Sequence, residues 1–220
     1  MHPVLRLYED TFSNHAGEVH LPALPRMIFV VHGSLSIAGR AYGDGEAWHG
    51  ESAAMLTPGQ TGATLWRWEF SPGDAPGCVV VGPGMASREK LSAALETLPK
   101  GELLMRGDSV AFPPGGCAYL HTHQGPGIRC LIEGGIRIDT HGRATSYGPG
   151  GAWYESGPEP VFAQAAADRT SRFIRVMILP RVLLGKSSLQ LVNEADKSKP
   201  RAQQYKIFID APIAFGAVNK

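Results

Sequence analysis

Two histidines separated by one residue, His121 and His123, are the side chains whose type and spacing most directly suggest chemistry. They stand in the stretch HTHQGPGIRCLIEGG, in which Gly and Pro follow the pair and an apolar run ends in Glu-Gly-Gly. Alternate residues of a β-strand face the same side, so both imidazoles can point into one interior. The pair indicates a metal site that needs at least one more ligand. The competing interpretation is a plain polar pair on a strand, because His-x-His alone is a weak signal.

The composition favours a chain of short strands. The sequence has 220 residues with 27 Gly and 17 Pro, which suit tight turns better than long helices. Its net charge of +1 gives no indication of a nucleic-acid or membrane partner. The first residues, MHPVLRLYED, lack the pattern of a signal peptide, and the three cysteines include no CxxC pair. We therefore expect a cytoplasmic protein with free thiols.

The sequence predicts two strand-rich halves joined by one helix. Short apolar stretches between turn residues run from Met27 to Ser71 and return after residue 101. Between them, ASREKLSAALETLPKG has a Ser that can cap a helix and apolar residues at helical spacing. The later stretch YKIFID can form one further strand. The predicted division is a first domain over residues 1–85, a linking helix over 86–100, a second domain over 101–184 and a polar tail over 185–220.

The second half resembles the cupin superfamily in two motifs. HTHQGPGIRCLIEGGIRIDTHG is similar to the first cupin motif, and GPGGAWYESGPEPVFAQAAAD is similar to the second. The first half repeats part of the pattern, because His20 precedes Gly33 by 13 residues, as His121 precedes Gly134. Pro22 stands where the second His of that repeat would be. The resemblance implies an all-β bicupin: two cupin barrels of the double-stranded β-helix (jelly-roll, RmlC-like) type, the N-terminal one degenerate.

Two of the usual cupin ligands are absent, since Gly127 and Val161 occupy their positions. One cupin subgroup shares the pattern HxHxGP, then Glu-Gly, then Trp-Tyr-Glu, and carries its carboxylate in the second motif. That likeness implies Glu155 as the third ligand beside His121 and His123. Two histidines and one carboxylate suit iron(II) first, with manganese, nickel or zinc as alternatives. Glu155 could instead lie exposed at the barrel mouth or pair with an arginine.

The pocket around these ligands has three candidate substrate-binding residues. Arg129 is expected to face inward, where it could clamp a substrate carboxylate or form an ion pair with Glu155 or Glu133. Tyr119 and Trp153 could line the pocket or simply pack in the core. His141 lies in the turn DTHGR, where we expect it to be exposed and inert.

The resemblance implies a metal-dependent bicupin that acts on a small organic acid or aromatic compound. An iron(II) dioxygenase is the leading reaction type, and an isomerase or lyase is the second. The alternative is a non-catalytic module that binds or senses a small molecule, and a third interpretation is a barrel whose role is association. No helix-turn-helix, GxSxG, P-loop or HExxH pattern accompanies the motifs. We expect a homodimer, the commonest assembly of soluble oligomers.

Overall fold

A computed structural model describes residues 2–214 and shows an all-β chain. The chain divides into two compact units, unit 1 (Met1–Leu95 with Ile213–Lys220) and unit 2 (Glu96–Pro212). Within residues 2–214 the only helical elements are the two short 3-10 turns Arg181–Leu183 and Glu194–Asp196. No helix in this part of the chain is long and apolar enough to cross a membrane.

Unit 1 contains one seven-stranded antiparallel sheet. The two longest strands, β3 and β6, pair along most of their length and carry the core of the unit on their inner faces. Burial of that face drives the association of the strands, because apolar side chains are removed from water. The strands are β1 (Val4–Phe12), β2 (Val19–Leu21), β3 (Arg26–Ile37), β4 (Arg40–Gly43), β5 (Ala47–Gly50), β6 (Ala54–Ser71) and β7 (Met85–Ala94).

The predicted linking helix over residues 86–100 is not formed, so that prediction was wrong. Met85–Ala94 is strand β7, which pairs with β1 in antiparallel fashion. The pairing skips Lys90, which is the extra residue of a β-bulge. A bulge shifts the alternation of inward and outward residues by one position. Leu91 and the fully buried Leu95 are four residues apart, a spacing that places two residues on the same side of a helix and also of an extended strand.

Unit 2 is built from two five-stranded antiparallel sheets. The strands of the first sheet follow the order β13-β10-β15-β8-β17, and those of the second follow the order β12-β11-β14-β9-β16. The strands are β8 (Leu103–Phe112), β9 (Cys117–His123), β10 (Gly127–Glu133), β11 (Ile136–Thr140), β12 (Arg143–Tyr147), β13 (Ala152–Glu155), β14 (Val161–Ala165), β15 (Ser171–Pro180), β16 (Leu189–Leu191) and β17 (Gln204–Ile213).

The core of unit 2 lies between its two sheets. Leu131, Trp153 and Phe173 of the first sheet pack in one cluster with Ile138 and Ala163 of the second. Residues assigned to a polar tail in the sequence add a strand to each sheet, because β16 pairs with β9 and β17 lies beside β8. The late strand predicted at YKIFID is part of β17. The tail therefore adds a strand to both sheets of unit 2, one of which carries the histidine pair.

Candidate metal centre

Three buried side chains from two facing sheets of unit 2 converge on one point. His121 and His123 lie on β9, and Glu155 ends β13 in the other sheet. One ligand atom from each of the three side chains lies within 4.8 Å of those from the other two. The side chains are 5%, 5% and 7% exposed, so water cannot solvate three polar groups at this point. The residues that the sequence predicted as ligands are thus brought together by the fold.

Both histidines use Nδ1 for a contact outside the cluster and leave Nε2 for the point where the three side chains meet. The Nδ1 atom of His121 lies 2.7 Å from the backbone oxygen of Tyr119, to which it can donate. The Nδ1 atom of His123 lies 3.3 Å from the Ser188 hydroxyl. Metal-binding histidines commonly hold their second ring nitrogen in such hydrogen bonds, which orient the ring. Each Nε2 atom is left for a ligand role.

Burial lowers the pKa of His121, and it lowers the pKa of His123 well below the ordinary histidine value. Desolvation is the largest cause in both cases, because it disfavours the charged imidazolium. The neighbouring guanidinium groups of Arg129 and Arg175 act in the same direction on both rings. Both rings are therefore neutral near pH 7, which is the form that binds a metal.

The carboxylate of Glu155 takes the place of the one missing at position 127. Gly127 and Glu155 are direct partners in the antiparallel pairing of β10 and β13. A Cβ atom at position 127 would lie 2.4 Å from the backbone oxygen of Val176, so no glutamate fits there. The carboxylate therefore comes from the residue directly across the strand pair. The other missing ligand position is filled by Val161, which is buried and pairs with His121.

Arg129 forms an ion pair with Glu155, one of the two roles left open by the sequence. Its Nη2 atom lies 2.6 Å from Glu155 Oε2, and its Nη1 atom donates to the backbone oxygen of Gly127 at 2.7 Å. Trp153 Nε1 donates to Glu155 Oε1 at 2.9 Å. Burial lowers the pKa of Arg129 to about 10, although the Glu155 carboxylate opposes the shift. Arg129 and Trp153 thus position the glutamate, and both also line the cavity.

One oxygen of Glu155 lies between the Arg129 guanidinium and the histidines. Glu155 Oε2 is buried and lies at ion-pair distance, 2.6 Å, from Arg129 Nη2, without the geometry of a regular hydrogen bond between the two atoms. The same oxygen lies 3.7 Å from His123 Nε2. A buried carboxylate oxygen beside two neutral imidazoles is a donor set that fits a divalent cation.

The space beside these three residues is small. The cavity has a volume of about 20 Å³, enough for little more than one water-sized molecule. Arg175 also lines it and is held by two hydrogen bonds to Asp108, at 2.7 and 3.0 Å. The Asp108 carboxylate raises the pKa of Arg175 against the effect of burial, so Arg175 stays charged.

Tyr119, one of the candidate pocket residues, is not among the residues that line this cavity. The pairing of β9 with β14 contains a β-bulge between His121 and Ala118, and the bulge reverses the alternation. Ala118 faces the cavity instead, and the ring of Tyr119 lies 4.9 Å from Lys199 Nζ.

The remaining histidines highlighted in the sequence do not join a cluster within residues 2–214. His141 is exposed, as expected, and lies 3.6 Å from Glu159. His20, the first-half counterpart of His121, is exposed on β2. The three cysteines are not in the candidate site; Cys130 is fully buried and Cys78 and Cys117 are partly buried.

Sequence reasoning missed the residues that come from the tail. Ser188 contacts His123, and Leu189, Gln203 and Tyr205 line the cavity. Their order and spacing carry no recognisable motif, and the polar composition of the segment indicated a loop. Only the pairing of β16 with β9, which places Leu189 opposite His123, brings this segment to the site.

Comparisons with known proteins support the fold. No protein-family model matches the sequence, and no curated protein matches it. Among solved structures, a Bacillus subtilis oxalate decarboxylase variant is similar over 90% of this chain and 70% of its own, with 13% identity and a TM-score of 0.54. AerE from Microcystis aeruginosa (11% identity, TM-score 0.55) covers 81% of this chain and 88% of its own. A cupin 2 conserved barrel domain protein from Leptotrichia buccalis (12% identity, TM-score 0.50) covers 80% and 84%. The chain therefore has a cupin fold, with a cluster of two histidines and one glutamate that could hold a divalent metal.

Proposed function

We propose that this chain is a metal-dependent cupin enzyme that acts on a small organic acid. The observation that carries the proposal is the convergence of His121, His123 and Glu155, three buried ligand atoms within 4.8 Å of one another. The contact of His123 Nδ1 with Ser188 and the position of Glu155 Oε2, 3.7 Å from His123 Nε2, support it. Iron(II) is the first choice for this ligand set, and manganese, nickel and zinc are alternatives.

The buried charges favour an anionic substrate over a neutral aromatic one. Arg129 and Arg175 carry two positive charges, and their partners Glu155 and Asp108 carry two negative charges. These four groups balance before any metal is present. A divalent cation would add two positive charges to a buried site, where uncompensated charge is costly. A small carboxylate at the metal would offset that charge.

A divalent ion bound here would bind oxygen or polarise the substrate as a Lewis acid, which are the chemistries of an iron(II) dioxygenase and of an isomerase or lyase. The chain's own residues contribute in other ways. Arg129 and Trp153 fix the direction of the Glu155 carboxylate. Arg175 supplies a fixed positive charge near the histidines, and the apolar wall excludes bulk water.

The alternative function is binding or sensing of a small anion without turnover. The small cavity and the loss of ligands at Gly127 and Val161 favour this alternative. The N-terminal unit is proposed to be a degenerate cupin domain whose role is structural. A homodimer in the cytoplasm remains our expectation for the whole protein.

The test is turnover and binding by protein loaded separately with iron(II), manganese, nickel and zinc. Small carboxylates such as formate, oxalate and pyruvate are supplied with oxygen present and absent, and products are followed by NMR and oxygen uptake. Metal-dependent turnover that is lost in Glu155→Gln but kept in the exposed control Glu159→Gln supports an enzyme. Metal-dependent binding without turnover supports the sensing alternative, and neither result with any metal would refute the proposal.

A further inference from the structure

The segment after β15 returns to the candidate metal centre and forms part of its wall. Leu189, Gln203 and Tyr205 line the small cavity together with the two histidines and the glutamate. We call these three residues the cover. They come from two places, the start of β16 and the start of β17, which are separated in the chain by the short turn Glu194–Asp196.

The two ends of the cover are held differently. Leu189 pairs with His123 in the sheet, and the preceding Ser188 accepts a backbone hydrogen bond from Gln124 at 3.1 Å. On the other side, the ring of Tyr205 rests beside the Arg175 guanidinium at 5.7 Å. Tyr205 is also 48% exposed, so this side chain lines the cavity on one side and contacts solvent on the other. The Gln203 carboxamide oxygen is buried without a hydrogen-bond partner among residues 2–214.

We propose that Tyr205, with Gln203, determines the size of molecule that reaches His121 and His123. The cavity of about 20 Å³ accepts only a molecule of water-like size while the Tyr205 ring is in place. Removal of the ring opens the cavity to solvent, because the far side of this side chain is already exposed. Gln203 lines the same space, and its buried carboxamide oxygen has no hydrogen-bond partner among residues 2–214, so it could accept a hydrogen bond from a molecule that enters. The inference deepens the proposed function, but access to the histidines can be tested without a metal.

The first experiment measures acylation of each histidine in metal-free protein by diethyl pyrocarbonate, with peptide mass spectrometry as the readout. In the parent, His121 and His123 are expected to react at least ten-fold more slowly than the exposed His141. Tyr205→Ala is expected to raise their rates at least ten-fold, and Tyr205→Phe is expected to keep the parental rates. The matched control is Ile207→Ala, which removes a 56% exposed side chain on the same strand.

The proposal would be refuted if His121 and His123 were acylated at the same rates in Tyr205→Ala as in the parent. It would also be refuted if Ile207→Ala increased these rates as much as Tyr205→Ala. Circular dichroism and thermal melting confirm that each variant keeps the parental fold. If Tyr205→Ala does not, Tyr205→Leu and Gln203→Ala provide the same test, with an expected increase of at least three-fold. The rate at His141 should stay constant in every folded variant.

The second experiment compares formate and benzoate binding to cobalt(II)-loaded protein by visible absorption. The parent is expected to prefer formate, and Tyr205→Ala is expected to reduce the preference at least ten-fold by admitting benzoate. An unchanged preference for formate over benzoate in Tyr205→Ala would contradict the proposal that Tyr205 limits the size of the molecule. If the acylation rates change as expected but cobalt does not bind, Tyr205 still controls access to the histidines, and the proposed metal-dependent function is refuted.

Discussion

At the scale of single residues, the crowding around Gly127 shows why a carboxylate cannot come from position 127, whereas Glu155, its partner across the strand pair, can supply one. Gly127 pairs with Glu155, and the backbone of Val176 passes so close to Gly127 that no side chain fits. Glu155, on the neighbouring strand, is the carboxylate that lies with His121 and His123 in the cluster that could hold a metal ion. Arg129, on the same strand as Gly127, then holds the carboxylate in place.

Gly127→Ala is predicted to destabilise the protein because the new methyl group would lie 2.4 Å from the Val176 backbone oxygen. Overpacking of this kind costs about 1–3 kcal/mol of unfolding free energy. Urea denaturation of the metal-free protein measures the loss. Gly148→Ala is the control, since nothing lies within 4 Å of a Cβ there. A variant at Gly127 as stable as the one at Gly148 would contradict the close packing.

Arg129→Met is predicted to lower the unfolding free energy of the metal-free protein by about 3–5 kcal/mol, because it leaves Glu155 as a buried unpaired charge. Added zinc or manganese should restore more stability to this variant than to the parent, since a cation replaces the missing charge. Urea denaturation with and without metal is the measurement. The control Arg172→Met breaks a partly exposed pair with Glu133 and should cost less than about 1 kcal/mol. Equal losses would show that Glu155 does not depend on Arg129.

At the scale of the elements, strand pairing decides what local patterns cannot. Residues 85–94 become strand β7 by pairing with β1, and the pairing of β9 with β14 has a bulge between Ala118 and His121. Period-two patterns assume an unbroken ladder, and a bulge shifts every later residue to the opposite face. The pair His121 and His123 lies beyond the bulge in β9, so its own alternation is intact and both side chains line the same cavity.

Ser188→Ala is predicted to weaken metal binding by about ten-fold or more, because the hydroxyl holds the Nδ1 atom of His123. Competition with a chromophoric chelator measures the affinity for zinc. The fold should be unaffected, so the melting temperature of the metal-free protein is measured in parallel. Ser146→Ala, at an exposed position on β12, is the control. An affinity within two-fold of the parent would mean that the segment before β16 does not support the site.

At the scale of the whole molecule, the sequence motifs predicted the all-β cupin fold and the three converging ligands, but not the contribution of the tail. The motifs work because they specify turns and inward positions that lie close together in the chain. Ser188, Gln203 and Tyr205 reach the site only through long-range strand pairing, which no local pattern encodes. The prediction of a linking helix was wrong for the same reason. Residues 85–94 pair with β1, which is far from them in the sequence.

Unit 1 has a balanced network of buried charges in place of a histidine cluster. Arg67 contacts Asp10 at 2.6 Å and Glu69 at 2.7 Å, and Arg26 contacts Glu69 at 3.0 Å. All four side chains are almost completely buried. Two positive and two negative charges satisfy one another here, and the described residues of unit 1 contain no cluster of three His, Cys, Asp or Glu side chains that could hold a metal ion.

Arg67→Met is therefore predicted to lower the unfolding free energy by roughly 3–5 kcal/mol while leaving the metal content per folded protein unchanged. Arg88→Met is the control, since Arg88 is largely exposed in its pair with Glu9. Denaturation and elemental analysis of the same samples give both quantities. Loss of metal in folded Arg67→Met would assign unit 1 a part in metal binding.

The most direct test of the account is elemental analysis of untagged protein after incubation with iron(II), manganese, nickel or zinc and removal of excess ion. The account predicts close to one ion per chain for at least one metal. It also predicts loss of that ion in the His121→Ala/His123→Ala double variant and in Glu155→Gln, and full retention in His141→Ala and Glu159→Gln. An absence of bound metal under all four conditions, or retention of metal in the double variant, would contradict the assignment of these three residues as the metal centre.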